Sequence, residues 1–228
     1  RKNNIEAYPA FTAHKLFGQS YNNELLPLAG VANKKIVLCN ESGKYSTYKS
    51  DEYGFNNPLG TWENLEGDMV LIGDSFVHGS CVDSGHTIAD HLRKNNLKIF
   101  NLGAGGSGPL LQLAMFNEYA TKIKTKKLLW FFYEFDISID LNDEMMRSRL
   151  LPYLHQENYN QNLFNRQNEI DSVLMNYYNR KMNLGNNNTN NFGKNDLLKF
   201  AKLSQLRYLI NKRFSTNKNI YVFEEIIK

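Results

Sequence analysis

No stretch of this chain approaches the ~20 consecutive apolar residues that a membrane-spanning helix needs. No run of Lys and Arg is long enough to form a phosphate-tracking surface. The 27 basic residues are spread along the chain, the formal net charge is only +4, and nucleic acid is therefore not an expected partner. Cysteine is scarce. Cys39 and Cys81 are either a bridge or two buried thiols, and with nothing else marking a disulfide scaffold two thiols are expected. Histidine is scarce as well. His86 and His91 stand five positions apart, which does not put both on one helical face, and no cysteine joins them, so neither a metal site nor a cofactor is expected. Internal repeats are lacking.

What is present is an ordinary globular composition. The chain has 228 residues, 42% hydrophobic and 22% charged, enough for one α/β domain or one domain with an extension. It starts at Arg1 and stops at Lys228 inside an apolar-patterned segment, and it reads as a piece of a longer protein whose signal peptide or membrane anchor would lie outside it. Asn is abundant, so the match of Asn187-Asn188-Thr189 to a glycosylation sequon is expected by chance.

The pattern divides at about residue 67. Residues 1–67 read as an N-terminal extension and loop layer: an irregular lead-in over 1–34, an edge strand or hairpin arm at 36–39, and a Gly-, Asn- and Asp-rich ordered loop or small hairpin from 40 to 67. From 68 to 228 a domain follows. The apolar run at 69–72 reads as a buried parallel strand, 87–94 as a helix, and 97–102 as a second strand. Residues 103–108 form a glycine-rich turn, Pro109 opens a helix, and 128–133 form a third strand, apolar or aromatic throughout and expected to be buried. Strand and helix in alternation predict right-handed crossovers and a parallel sheet with helices on both faces, a three-layer α/β architecture. Helices are expected at 143–154, 161–178 and 196–214, with a mobile loop at 183–195. Residues 220–227 are ambiguous between strand and helix.

Two features fall at the carboxyl ends of predicted strands, where open parallel sheets bind ligands. The first is Gly73-Asp74-Ser75-Phe76. A Ser between a buried strand and a helix presents its hydroxyl at the sheet edge, and its N–H lies at a helix N-terminus that favours an anion. One residue can then serve as nucleophile and oxyanion donor. Gly73 allows a sharp turn there, and Asp74 can brace it through backbone N–H bonds. The plain alternative is a βα turn. The second feature is Asn101-Leu102-Gly103-Ala104-Gly105-Gly106-Ser107-Gly108-Pro109, which reads either as an oxyanion loop beside Ser75 or as a dinucleotide fingerprint. In the latter, Gly103, Gly105 and Gly108 give the G-x-G-x-x-G spacing and Glu134 is the ribose ligand.

Together these blocks resemble the SGNH (GDSL-type) hydrolase superfamily over residues 68–141. Gly73, Asp74 and Ser75 match its first block, and Asn101, Gly103 and Gly106 match the Asn-x-Gly-x-x-Gly block after its second strand. The segment Asp51-Glu52-Tyr53-Gly54-Phe55-Asn56-Asn57 looks like that of bacterial envelope-associated members. The resemblance implies the flavodoxin-like three-layer fold and a serine ester hydrolase or O-acyltransferase acting on acyl esters of envelope glycans or lipids. Ser75 would be the nucleophile, and the N–H groups of Ser75 and Gly106 oxyanion donors. The third donor of the family is an Asn side chain. Here Asp136 stands at that place, or Phe135 if the alignment slips by one residue, and an ionised carboxylate repels an oxyanion.

The family's Asp-x-x-His block, which carries the general base, has no match downstream of the third strand, and the resemblance puts it beyond Lys228. His155 reads as an exposed helix-end residue and His78 as a loop residue. Asp51, Tyr53 and Phe55 either shape a cleft or pack a loop. Glu134, Asp136, Asp140, Asp143 and Glu144 form an acidic rim, solvated or sugar-binding. The rival to the enzyme is a non-catalytic SGNH-like binding module, and a dinucleotide-binding protein is the third class.

Overall fold

The computed structural model describes residues 7–13, 25–40, 43–133 and 136–187, with the side chains of 138 and 182–187 excepted. The expected segments at 196–214 and 220–227, most of the 183–195 loop, and Glu134 and Phe135 lie outside these residues.

The protein is α/β, with two small sheets. In the first, β1 (Tyr8–Pro9) runs parallel to β2 (Lys35–Val37), and β3 (Thr47–Lys49) pairs antiparallel to β2. The segment expected as an edge or hairpin arm is thus the central strand of a three-stranded sheet. In the second sheet β4 (Glu66–Ile72) lies between β5 (Ile99–Asn101) and β6 (Lys124–Trp130), all parallel.

Between β4 and β5 run α1 (Ser75–His78) and α2 (Ile88–Arg93), and α3 (Pro109–Glu118) joins β5 to β6. The caps are legible in the residues. The Thr87 hydroxyl accepts from Asp90 N–H while the Asp90 carboxylate accepts from Thr87 N–H, closing a capping box on α2. Pro109, lacking an N–H, stands at the first position of α3.

Strand β4 is the centre of the molecule. Val70, Leu71 and Ile72 are fully buried, and they alternate between two apolar clusters as a period of two requires. Leu71 meets Val77 of α1 and Ala89 of α2. Val70 and Ile72 belong to the larger cluster with Leu110, Leu111 and Ala114 of α3. That larger cluster also takes in Tyr8, Phe11, Leu26, Ile36, Tyr48, Phe55 and Trp62, so the first sheet and the loop after it share one core with the second.

The third strand departs from expectation. β6 begins at Lys124 and ends at Trp130, and among the described residues it pairs on one side only, with β4. Leu128 and Leu129, on opposite faces, are each 38% exposed. Its polar half was hidden in the sequence because Lys124 and Lys126 carry no apolar signal. They pair with Glu66 at 2.8 Å and Asp68 at 2.9 Å on β4, exposed cross-strand pairs of small energetic weight.

After β6 come a π-helical turn (Asp136–Asp140), α4 (Leu141–Met145), α5 (Leu151–His155) and α6 (Gln167–Asn187). The helix expected at 143–154 is two short helices, because Pro152 lies inside that span. The helix expected at 161–178 starts later, at Gln167, and runs into the Asn-rich tract. Buried Glu118 ties this region to α3. It accepts from Leu163 N–H at 2.8 Å and from the Gln161 N–H, and its other partner is the Tyr153 hydroxyl.

The cysteines are not free thiols. Cys39 and Cys81 form a disulfide across a separation of 42 residues, linking the end of β2 to the turn after α1. Such a spacing carries no signature in the sequence; the folded chain brings the two Cα atoms to 5.0 Å. Reducing the bridge is expected to lower unfolding free energy by about 2–4 kcal/mol. The measurement is a pair of urea titrations with and without dithiothreitol, and coincident midpoints would show that the link stabilises nothing.

Candidate functional site

Ser75 is the first residue of α1, half-buried at the carboxyl end of β4. Asp74 braces the turn as expected. One carboxylate oxygen accepts from Phe76 N–H at 2.9 Å, and the other lies 3.3 Å from Ser75 Oγ. The helix that follows has only four residues and is closed by Gly79 in the left-handed conformation. The macrodipole expected at Ser75 is therefore slight, and what remains is the first N–H of the turn, which makes no hydrogen bond among the described residues. Gly73 serves a different end from a sharp turn. Its φ is not positive; a Cβ there would stand 2.5 Å from Val77 Cγ2.

The glycine-rich segment lies against this turn. A Cβ on Gly103 would fall 2.3 Å from His78 N and 2.5 Å from the Val77 carbonyl carbon, so only glycine lets the loop touch the backbone of α1. Ala104 N–H and the Ser107 hydroxyl both donate to the Gly73 carbonyl, at 3.2 and 3.1 Å. Gly106 is exposed, with φ +69°, and its N–H is spent on no bond among the described residues. Asn101 is fully buried and does not face solvent. Its amide donates to Val77 O at 2.8 Å and its carbonyl accepts from Gly103 N–H at 2.9 Å. It positions the two blocks against each other.

Asn101 is held in turn by residues whose role the sequence did not reveal. Asn57 accepts from Asn101 N–H at 2.8 Å and donates to Asn101 O at 3.0 Å and to Asp51 at 2.7 Å. Arg93 donates to the same Asn57 oxygen. The Asp51 carboxylate also accepts from Tyr53 N–H, Phe55 N–H and Trp62 Nε1. Burial pushes this carboxyl up to about 6 against those donors. Neighbouring Asn56 donates to His78 O at 2.9 Å, at the end of α1. Asp51 and Phe55 are therefore buried framework, not walls of a cleft.

Asp136 lies after the loop that follows β6, near Asp74 of the turn that carries Ser75. One of its oxygens accepts from Tyr133 N–H at 2.9 Å. Burial raises its carboxyl to about 6, and the nearby Asp74 adds to the rise. Asp140 is raised to about 6 by burial and then by Asp136 and Asp74. Glu144, expected in a solvated rim, is fully buried. It accepts from the N–H groups of Gly108, Leu110 and Leu111 at 2.7, 2.9 and 3.3 Å, and burial pushes it up to about 8. This carboxylate fills the N-terminus of α3, where a dinucleotide's pyrophosphate would have to sit, so the geometry opposes the fingerprint reading.

The histidines sort as follows. His78 ends α1 and is buried, its Nε2 3.0 Å from the Tyr48 hydroxyl and its Nδ1 3.4 Å from Ser80 Oγ; it is not a loop residue. His155 is exposed at the end of α5, as expected. His86 and His91 approach to 6.4 Å between ring centroids, because His86 precedes the helix that carries His91. Among the described residues no His is hydrogen-bonded to Ser75, and no group of three or more His, Cys, Asp or Glu is arranged to hold a metal ion.

Burial lowers the His78 pKa to about 4. The unfolded chain then binds a proton that the folded chain refuses, so the His78 share of stability is complete above about pH 6.5 and is lost as pH falls towards 4. Asp51, Asp136 and Asp140 act with opposite sign, being raised. The difference between wild type and His78→Gln isolates the His78 share: wild type is expected to lose up to roughly 3 kcal/mol more than the variant between pH 7 and 4. Urea midpoints across that range are the measurement.

Comparison with protein-family models, with curated proteins and with solved structures yields no match to this chain.

Proposed function

We propose that the protein is an SGNH-type serine ester hydrolase or O-acyltransferase, built on the three-layer arrangement of that superfamily, with Ser75 as nucleophile. The observation that carries the reading is the docking of the 101–107 loop on the Ser75 turn through Gly103, Ala104 and Ser107. It leaves one hydroxyl and two uncommitted N–H groups, those of Ser75 and Gly106, at the end of the central parallel strand.

In the proposed reaction Ser75 Oγ bonds to the acyl carbonyl carbon and its proton passes to a general base. The carbonyl oxygen takes up negative charge against the two N–H groups. The ester C–O bond then breaks, the alcohol departs with a proton, and water or a second hydroxyl takes the acyl group from Ser75. No described imidazole is bonded to Ser75, so the base is the part of the reading supplied by the family pattern alone. The disulfide supports an oxidising compartment, in keeping with esters of envelope glycans or lipids as substrates.

Asp136 favours a second reading, a binding module without turnover. Ionised, it repels an oxyanion and cannot donate; below about pH 6 the neutral acid can donate one hydrogen bond.

Treatment of the natural protein with a fluorophosphonate, followed by mass spectrometry, is expected to show labelling at Ser75 that Ser75→Ala abolishes. Absence of label would favour the binding module. In the enzyme reading, Asp136→Asn restores a neutral donor and is expected to raise kcat/KM for a p-nitrophenyl ester roughly a hundredfold at pH 8. An unchanged rate would remove Asp136 from the oxyanion site.

A further inference from the structure

A cavity of about 440 Å³ opens directly beside Ser75, within the ~300–1,000 Å³ range of small-molecule pockets. Ser75, Phe76, Cys81, Val82, His86 and Ile88 stand in its wall. The chemistry of that wall is one-sided. Among the described residues no Asp, Glu, Lys or Arg lines it, and His86 is its one ionisable side chain. Three of its side chains are large, apolar and left in water: Phe76 is 66% exposed, Val82 37% and Ile88 39%. Apolar surface of this kind beside a hydroxyl gains by covering with an apolar group.

The wall is also built before any ligand arrives. Ser80 N–H donates to Ser75 O at 2.9 Å and Val82 N–H to Gly79 O at 3.2 Å. The Cys39–Cys81 disulfide anchors the turn to the first sheet. On the far side the capping box of Thr87 and Asp90 fixes the start of α2, and Asp90 also accepts from Gly85 N–H at 2.9 Å. Ser80 and Thr87 also line the cavity, with their hydroxyls committed near His78 Nδ1 and Asp90 N–H. A preformed, largely apolar cavity with Ser75 at its edge fits a chain whose polar end is presented at Ser75 and whose remainder is hydrocarbon.

We propose that this cavity holds the acyl chain of the ester attacked by Ser75, and that Val82 and Ile88 set the length of chain accepted. The proposal rests on the reading of Ser75 as nucleophile and names its acyl specificity. The pocket favours a medium-length linear acyl chain over acetyl, because acetyl would leave Val82 and Ile88 uncovered. Bulk added at Val82 or Ile88 removes room for the chain and changes no residue between Gly73 and Gly79.

The test uses the natural protein with two readouts, hydrolysis of p-nitrophenyl acetate and octanoate, and calorimetric binding of octanoate. Wild type is expected to prefer the octanoate ester. Val82→Trp and, independently, Ile88→Trp are expected to cut kcat/KM for octanoate about tenfold while acetate stays within about twofold. Both should weaken octanoate binding by a like factor, and circular dichroism checks the fold of each. Ser75→Ala should abolish hydrolysis of both esters and keep octanoate binding. If wild type turns over neither ester yet binds octanoate, and the Trp variants weaken that binding, the cavity assignment stands and the Ser75 reading falls. If octanoate does not bind, or the variants change both esters alike or neither, the cavity assignment is overturned.

Discussion

The geometry of the candidate site hangs on a buried side-chain relay: Asp51 to Asn57 to Asn101. None of the three faces solvent, and each makes more than one hydrogen bond. Asp51 gathers four N–H donors from the loop that carries it and from Trp62. Asn57 is the pivot, clasping Asn101 through both backbone groups and taking a hydrogen bond from Arg93. Asn101 then spans the two catalytic-type blocks, from Val77 O to Gly103 N–H. Removing any member strands several buried polar groups at about 1–3 kcal/mol each, so the relay is high in stakes and short in tolerance. The position of the Gly106 loop over the Ser75 turn is a downstream result of how the loop at 51–57 is folded.

The acidic groups around the site have two distinct physical roles. Glu144 and Glu118 are inward-facing carboxylates that satisfy backbone N–H groups, the first at the start of α3 and the second in the segment before α6. Asp136 and Asp140 form a separate set near Asp74, and burial first, then the neighbouring carboxylates, favours the neutral acid of both. A site that gathers negative charge around a would-be oxyanion is in tension with itself. The tension is eased by protonation and by the two N–H groups that remain free.

What the sequence revealed follows the range of each interaction. The apolar run at 69–72, the helix opening at Thr87, the start of α3 at Pro109 and the bracing of the turn by Asp74 are local, written within a few residues, and the structure has them. The glycines were legible as special, though their reasons were not: Gly73 and Gly103 are small to admit a neighbouring element, which no local pattern states. Long-range pairings left no trace. Asn57 meets Asn101 across 44 residues, Cys39 meets Cys81 across 42, and Glu144 meets Gly108 across 36. Each is one residue of a common type, and in a chain rich in Asn a single Asn carries little information. The first half of β6 was missed for the opposite reason. A strand can open on Lys and Thr where those side chains stay in water and pair with acids on the neighbouring strand.

The cross-link between Cys39 and Cys81 joins the part of the chain before residue 67 to the wall of the cavity beside Ser75, while Phe55 and Trp62 from that earlier part pack in the same core as Phe100. The change of pattern at residue 67 is thus a change in texture, not a seam. A protease or an engineer cutting there would leave Asn101 without its clasp, Cys81 without its mate and an aromatic core open to water. The lead-in works as a buttress: the Ser75 turn can stay short, four residues of helix on one strand, because its rigidity is borrowed from a sheet that precedes it in the chain.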